Sequence, residues 1–267
     1  MSMKNGGSKT PLRRAKIQVI QRVSQILRCL EGESLGLSLG QIAKRTDLPR
    51  STVQRIIGTL IDEGFVSPAT PQGRVRLGPI LMRLAATART DLTSVAHPYV
   101  EALSHELDET VDVAILHGVN IVFVDQVVSP NRRLRAVSRI GAEYPAHSCA
   151  SGKVILAFAD HETVESVVEA GFEKFTKNTL SKPEALFREL DEIRTTGIAL
   201  DHEEHTEGIS AMAATIQDAY GNLAAISVPM PSQRFRERHA LCLRSLKDTC
   251  RKINSALVGE KDIKIPA

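Results

Sequence analysis

The sequence predicts an α+β chain of two domains, a small basic helical head followed by a larger acidic domain in which helices flank an antiparallel sheet. Three observations carry this. The 267 residues leave room for two domains and a substantial core. Residues 1–89 hold fifteen Lys and Arg against five Asp and Glu, a net +10, and the remainder holds nineteen against twenty-six, a net −7. Helical patterns at the start give way to hairpins mixed with helices, without the strict βαβ alternation of a parallel sheet. The overall net charge of +3 argues for nothing. Its division into a basic head and an acidic body is what a nucleic-acid reader with a soluble second domain shows.

Residues 1–15 mix Gly, Ser, Lys and Arg without apolar periodicity and predict a disordered basic arm. From Lys16 to Glu31, Ile20, Val23, Leu27 and Leu30 recur at helical spacing, and Gly32 is placed to end that helix. Ser38 followed by Gln41 reads as a capping box opening a short helix that carries Leu39, Ile42 and Ala43. Thr46, Asp47 and Leu48 break it, and Pro49 suits the first turn of the next helix. There Val53, Ile56, Ile57, Leu60 and Ile61 form the core stripe, and Ser51, Arg55, Gly58 and Asp62 point the other way, flanked by Thr52, Gln54 and Thr59.

Two short helices with a three-residue turn make a helix-turn-helix. An ordinary solvated helical hairpin would show long Glu and Lys on its outer face. This face is short and polar with an arginine, and so suits base edges and phosphates. The β-prone runs at Gly64–Val66 and Arg74–Leu77 predict a wing, with Arg74 and Arg76 on one face. The expected DNA contacts are Ser38, Arg50, Ser51, Thr52, Gln54, Arg55, Thr59, Arg74 and Arg76.

Pro79 to Val95 reads as a linker helix and a dimer contact, since a reader of this kind binds two half-sites through protein symmetry. The second domain follows over 96–258, with 16–78 as the DNA-binding domain and 259–267 as a tail. It begins with an amphipathic helix at His97–Leu107. Strands follow at Thr110–Leu116, Ile121–Val127 and Ala136–Ile140, then helices at Ala150–Phe158, Glu162–Ala170 and Pro183–Thr195. Three further strands at Gly197–Leu200, Ser210–Asp218 and Leu223–Pro229 precede a closing helix from Gln233 to Val258.

Cys29, Cys149, Cys242 and Cys250 form no Cys-x-x-Cys pair, so neither a zinc knuckle nor a redox motif is indicated. No apolar run is long enough to span a bilayer, and the simplest expectation is a cytosolic protein with reduced thiols. No cofactor is expected.

The chain resembles the IclR-type bacterial transcriptional regulators over nearly its whole length. The carriers are Leu48 to Arg55, Arg139-Ile140-Gly141 through Pro145 to Ala157, Gly197 to Glu204 with Gly208, and Ser227 with Pro231 to Arg234. The resemblance implies a winged helix, a linker helix and a C-terminal GAF-like effector domain. It also implies a dimer, often a dimer of dimers, controlling genes for breakdown or uptake of small organic molecules. Mapped onto this sequence, the family's effector pocket falls on Ala136, Gly141, Tyr144, Ala150, Ser151, Asp201, Ile209, Ala211 and Ser227.

Ala150, Ser151 and Gly152 open a helix, where free N–H groups and the helix dipole favour an anion; small residues there also permit tight packing on a sheet. The chain departs from many relatives in having Ala211 for a cysteine, Thr215 for a proline, Cys149 for a threonine, and Pro229-Met230-Pro231 before Arg234. Losing the thiol at Ala211 and the hydroxyl at Cys149 makes one wall more apolar, and Arg132, Arg133 and Arg135 add positive charge nearby. The expected effector is a small organic acid, aromatic carboxylates among them.

Three other functions compete with a ligand-controlled DNA reader. His147-Ser148-Cys149 could serve an enzyme, although neighbours in sequence do not make a triad. His202-Glu203-Glu204-His205 sets its histidines three apart beside a strand, which fails the zinc-helix spacing but leaves a loop metal conceivable. A purely architectural DNA binder would be basic throughout, and this chain is not.

Overall fold

The computed structural model describes residues 17–69, 73–88 and 91–258. The arm expected at 1–15 and the tail at 259–267 therefore lie outside the described residues. The chain divides into two compact units, Met1–Ala88 and Arg89–Ala267.

The first unit runs α1 (Gln18–Cys29), β1 (Leu37–Ser38), α2 (Leu39–Thr46), α3 (Arg50–Asp62), β2 (Val66–Pro68), β3 (Arg74–Leu77) and α4 (Ile80–Ala88). Ser38 caps α2 as a capping box: the Gln41 N–H donates to Ser38 Oγ at 3.3 Å, and the Ser38 N–H donates to Gln41 Oε1 at 2.9 Å. Asp47 ends α2 at φ 53°, in the left-handed region. Pro49 sits at the N-cap position of α3, one residue earlier than the first turn expected for it. Val53, Ile56, Ile57 and Leu60 close over Ile26, Leu30, Leu37 and Ile42.

Two further departures from the sequence reading occur here. The core stripe of α1 is Val23, Ile26, Leu27 and Leu30, and Ile20 is 60% exposed, because it lies on the first turn, outside the cluster that closes over the later turns. The wing is also a three-stranded sheet in the order β1-β3-β2, with Leu37 opposite Val75 and Ser38 opposite Arg74. β1 is two residues long, too short for any alternation to show.

The second unit contains α5 (Asp91–Leu107), β4 (Val111–His117), β5 (Asn120–Val127), β6 (Glu143–Pro145) and a 3-10 turn at Ala146–Ser148. These are followed by α6 (Ala150–Phe158), α7 (His161–Ala170), α8 (Pro183–Thr196), β7 (Ala199–His202), β8 (Ile209–Gln217), β9 (Leu223–Pro231) and α9 (Ser232–Val258). The six strands form one antiparallel sheet in the order β6-β5-β4-β9-β8-β7.

Strand alternation gives this sheet two faces. Val111, Val113, Met212, Ala214, Ile226 and Val228 pack with α5 and α9. Ala114, Ala199, Ala211, Ala213 and Ala225 face α6 and α8. Small residues concentrate on the second face, so α6 approaches the sheet closely.

Two larger departures from expectation occur in this unit, besides β7 lying at Ala199–His202 instead of Gly197–Leu200. The helix expected to break near Ala96 runs unbroken from Asp91 to Leu107 with Pro98 inside it. Leu92, Ala96, Val100, Leu103 and Leu107 form one buried stripe against the α9 face, and this packing offsets the hydrogen bond that Pro98 cannot make. Residues 136–140 form no strand. The chain turns over Arg139–Ala142 instead, with the Ala142 N–H donating to Arg139 O at 2.8 Å, and the strand that pairs with β5 begins only at Glu143. Ala136, Val137 and Ile140 are apolar enough to mimic a strand, but Ser138 leaves the ladder to bond another side chain.

Candidate functional site

The helix α3 presents Arg50, Ser51, Gln54, Arg55, Gly58, Thr59 and Asp62 as an exposed strip, with Thr52 half-buried at its edge. Its opposite side is the core stripe, so orientation follows directly from the 3.6-residue period. Side chains expected on DNA differ in how free they are. Ser38 Oγ is engaged in the α2 cap, and Thr59 Oγ1 donates back to Arg55 O at 3.3 Å. Arg74 Nη1 donates to Gly36 O at 3.3 Å, which ties its head toward the loop before β1. Arg76 is exposed on the wing.

In the second unit, the face turned to α6 gathers most of the nominated effector residues. One row across the strands runs Gln126, Asp112, Ser227, Ala213, Ala199, and Asp201 pairs with Ala211 in the next row. Ser151 Oγ, from the first turn of α6, donates to Ser227 Oγ at 2.9 Å. Ile209 shares the strand parity of Ala211 at the start of β8. Ala136 is buried in the loop whose Ser138 Oγ donates to Asp112 Oδ2 at 2.6 Å, so the loop crosses over this end of the face. Tyr144 meets Phe123 edge-on at 5.1 Å between ring centroids. Gly141 stands apart: it is exposed in the turn before β6, at φ 84°, and its N–H donates to Phe123 O.

The three small residues opening α6 have different reasons. A Cβ on Gly152 would lie 2.1 Å from Ala146 O, so this glycine is required for α6 to pack on the 3-10 turn. Ser151 makes the sheet contact. Cys149 at the N-cap makes no side-chain cap bond of normal geometry, and although the Gly152 N–H is turned toward its sulfur, the Ala150 and Ser151 N–H groups are left to other acceptors. Two open clefts, of about 380 and 450 Å3, lie elsewhere in this unit: one is lined by Leu116, Val119 and Asp160, the other by Ile115, Phe158 and Leu223. Neither includes a nominated effector residue.

Titratable groups on the α6 face are strongly perturbed. Burial pushes the Asp112 carboxyl up to about 6, against the pull of its Ser138 and Gln126 hydrogen bonds. Burial and the neighbouring Glu204 charge push Asp201 up to about 7. Lys153 is fully buried, with its Nζ 2.6 Å from both Glu189 Oε2 and Glu204 Oε1. Burial alone would lower it, but the two carboxylates outweigh that and raise it.

Several residues were missed or misjudged from sequence. Asp112 escaped notice because a single acid in an apolar strand carries no motif. His205 stacks on Tyr144 at 3.7 Å and on Phe175 at 4.7 Å, so it belongs to an aromatic wall. Glu204 is committed to Lys153. Arg132 pairs with Asp108 at 2.9 Å and Arg135 donates to Ser129 O at 2.9 Å; these two expected sources of positive charge are engaged at the sheet edge. The segment that could have tempted an enzyme reading is structural. His147 Nε2 lies 3.1 Å from Glu173 O, Ser148 Oγ donates to Pro145 O, and burial pushes the Cys149 thiol up to about 12.

Comparison with known proteins agrees with this geometry. Residues 19–68 match the IclR helix-turn-helix domain and residues 84–255 the bacterial transcriptional regulator IclR C-terminal domain. The chain is 42% identical to the HTH-type transcriptional regulator Rv1719 of Mycobacterium tuberculosis, over 93% of this chain and 95% of that one. It is 40% identical to the HTH-type transcriptional regulator TtgV of Pseudomonas putida, over 94% and 95% respectively. The IclR transcriptional regulator of Alicyclobacillus acidocaldarius superposes with a TM-score of 0.77 at 25% identity, covering 90% of this chain and 99% of that one. An IclR homologue from Microbacterium hydrocarbonoxydans, complexed with 4-hydroxybenzoate, has the same fold with a TM-score of 0.78 at 24% identity, over 90% and 98%. No helix among the described residues is long and apolar enough to cross a membrane. A winged reading head joined to a GAF-like sheet, matched by both domain models and by full-length relatives, makes this chain a DNA-binding transcriptional regulator of the IclR family, which is not a family of enzymes.

Proposed function

We propose that a small organic acid, with aromatic carboxylates as the leading class, sets this regulator's affinity for its operator from a site between the sheet and the start of α6. The observation that carries the reading is the floor of small side chains, Ala211, Ala213 and Ser227, laid against the uncapped first turn of α6. A carboxylate at Ala150 and Ser151 would meet free N–H groups and the positive end of the helix dipole. Asp201, pushed up to about 7, holds a proton near neutrality that it can donate to such an anion. The Microbacterium relative holds an aromatic acid in the same fold, which makes such acids the first probes.

Operator contact falls to Arg50, Ser51, Thr52, Gln54, Arg55 and Thr59 of α3, with Arg76 and, less freely, Arg74 of the wing on the backbone. Ser38 contributes chiefly by fixing α2. One head presents one recognition helix, so a two-fold operator needs a homodimer or a dimer of dimers. Ile20 and Met82, 60% and 78% exposed in the first unit, supply apolar surface for that association. We retain 16–78 as the DNA-binding domain, 79–95 as the linker and 96–258 as the effector domain, and place the regulator in the cytoplasm. A thermal-shift screen of aromatic and aliphatic acids, followed by operator titration with each hit, tests the reading. Stabilisation only by sugars or cations, or unchanged operator affinity with every hit, would defeat it.

A further inference from the structure

Thr110 Oγ1 is a buried side-chain oxygen without a hydrogen-bond partner, on a residue that is 0% exposed. An unsatisfied buried hydroxyl destabilises the fold, so its presence calls for a physical reason. Its position gives one. Glu109 pairs with Arg234 and Arg238 of α9, and Val111 and Val113 pack on the same side. Asp112 therefore faces α6; Thr110 is the residue just before β4, and the strand's alternation carried one step back from Val111 puts it on the same side. The two Cα atoms lie two residues apart along an extended chain, about 7 Å, a gap that one hydroxyl group bonded to both side chains spans.

The second observation is the state of Asp112. Its carboxyl is 1% exposed, takes one hydrogen bond on each oxygen, from Gln126 Nε2 at 2.7 Å and from Ser138 Oγ at 2.6 Å, and so keeps an unused lone pair on each. It stands directly opposite Ser227 in the β4–β9 ladder. A group placed between Thr110 and Asp112 would accept from a neutral hydroxyl and donate to a carboxylate at once. A carboxylate cannot donate, and an ammonium cannot accept. An alcohol or a phenol does both.

We propose that Thr110 and Asp112 form a hydroxyl-reading subsite at the β4 end of the effector face, and that the natural effector carries an alcoholic or phenolic OH bonded to both. The proposal rests on the effector reading above and adds to it. An acid whose body lies over Ala211 and Ala213 has its carboxylate at α6 and its hydroxyl at β4. Binding discriminates against the deoxy analogue because that analogue leaves the Thr110 hydroxyl and the Asp112 lone pair buried without partners.

Two measurements on the full-length protein decide it. Thr110→Val is nearly isosteric and removes the orphan hydroxyl, so ligand-free Thr110→Val should melt a few degrees higher than the parent chain. A lower Tm would mean that the hydroxyl has a structural partner and would overturn the proposal whatever binds elsewhere. Calorimetric titration with 4-hydroxybenzoate against benzoate, and with 3-hydroxyphenylacetate against phenylacetate, should show at least about tenfold preference for the hydroxylated member. That preference should vanish in Thr110→Val and in Asp112→Asn while binding of the deoxy member persists. Equal affinity within each pair, or a preference unchanged by both substitutions, overturns the subsite. Absence of binding by every member refutes the aromatic-acid reading instead, and the Tm of Thr110→Val then decides the subsite on its own.

Discussion

Asp112 and Asp201 lie on the same sheet face, separated by β9 and β8, and both hold their protons far more tightly than a free carboxyl. In the unfolded chain each titrates near pH 4. Between about pH 4 and pH 7 the folded protein therefore binds more protons than the unfolded one, and these groups make stability fall as pH rises through that window. Urea midpoints taken across it should decline for the parent chain and decline less for Asp112→Asn. An identical slope in both would mean that the carboxyl is not perturbed by folding. The same argument bears on ligand choice: an anion seated beside Asp201 requires that carboxyl to be protonated, so an acid effector binds more tightly as pH falls through about 7. Lys153 gives the complementary case. It is buried with Glu204 and partly buried Glu189 as its counter-charges, and Lys153→Met leaves Glu204 6% exposed without a cation. The expected loss is about 3–5 kcal/mol in denaturant unfolding. Glu189→Gln, at a carboxylate 34% exposed, should cost far less.

Whole elements were legible in the sequence where periodicity, caps and turns agreed, and illegible where long-range packing overrode them. The Ser38–Gln41 pair announced α2 because a capping box is a local device that needs nothing distant. Ser38→Ala should cost the first unit about 1 kcal/mol in denaturant unfolding. An unchanged midpoint would mean that the Ser38–Arg74 pairing of β1 and β3, not the cap, holds this corner. The Pro98 helix could not be read, since the stripe from Leu92 to Leu107 keeps it helical only because α9 lies against it. The candidate site was half visible. Ser151, Asp201 and Ser227 sit in recognisable runs, whereas Asp112 and Thr110 gain meaning only once β4 is placed beside β9. Gly152 was read as one of three equivalent small residues, yet it alone is sterically compelled. Gly152→Ala should cost about 1–3 kcal/mol, with α6 pushed from Ala146 and the Ser151–Ser227 contact opened.

At the scale of the whole molecule, the charge division is the quantity that ties reader to DNA. A head carrying +10 over residues 1–89 attached to a body of −7 cannot bind DNA uniformly along its length. Attraction to the phosphates is concentrated in the residues of the head, and the acidic charge of the second domain opposes non-specific binding. Within the head, the exposed face of α3 and the wing should contribute different kinds of energy. Arg55 lies on the exposed strip proposed to enter the groove, and on that reading Arg55→Ala should weaken binding to the operator by roughly 1–3 kcal/mol while barely changing affinity for a scrambled duplex. Arg76 is exposed on β3 and is proposed to meet phosphate; on that reading Arg76→Ala should weaken both duplexes alike and reduce the slope of log affinity against log salt by about 1. Fluorescence anisotropy on both duplexes across a salt series separates the two roles. Equal losses on both duplexes for Arg55→Ala would move that arginine from the base edges to the backbone, and an unchanged salt slope for Arg76→Ala would remove the wing from the interface. The family assignment would survive either result, because it rests on both domains together. What would change is which side chains of this head carry sequence selection, and that follows from charge placement and helix phase, not from the fold alone.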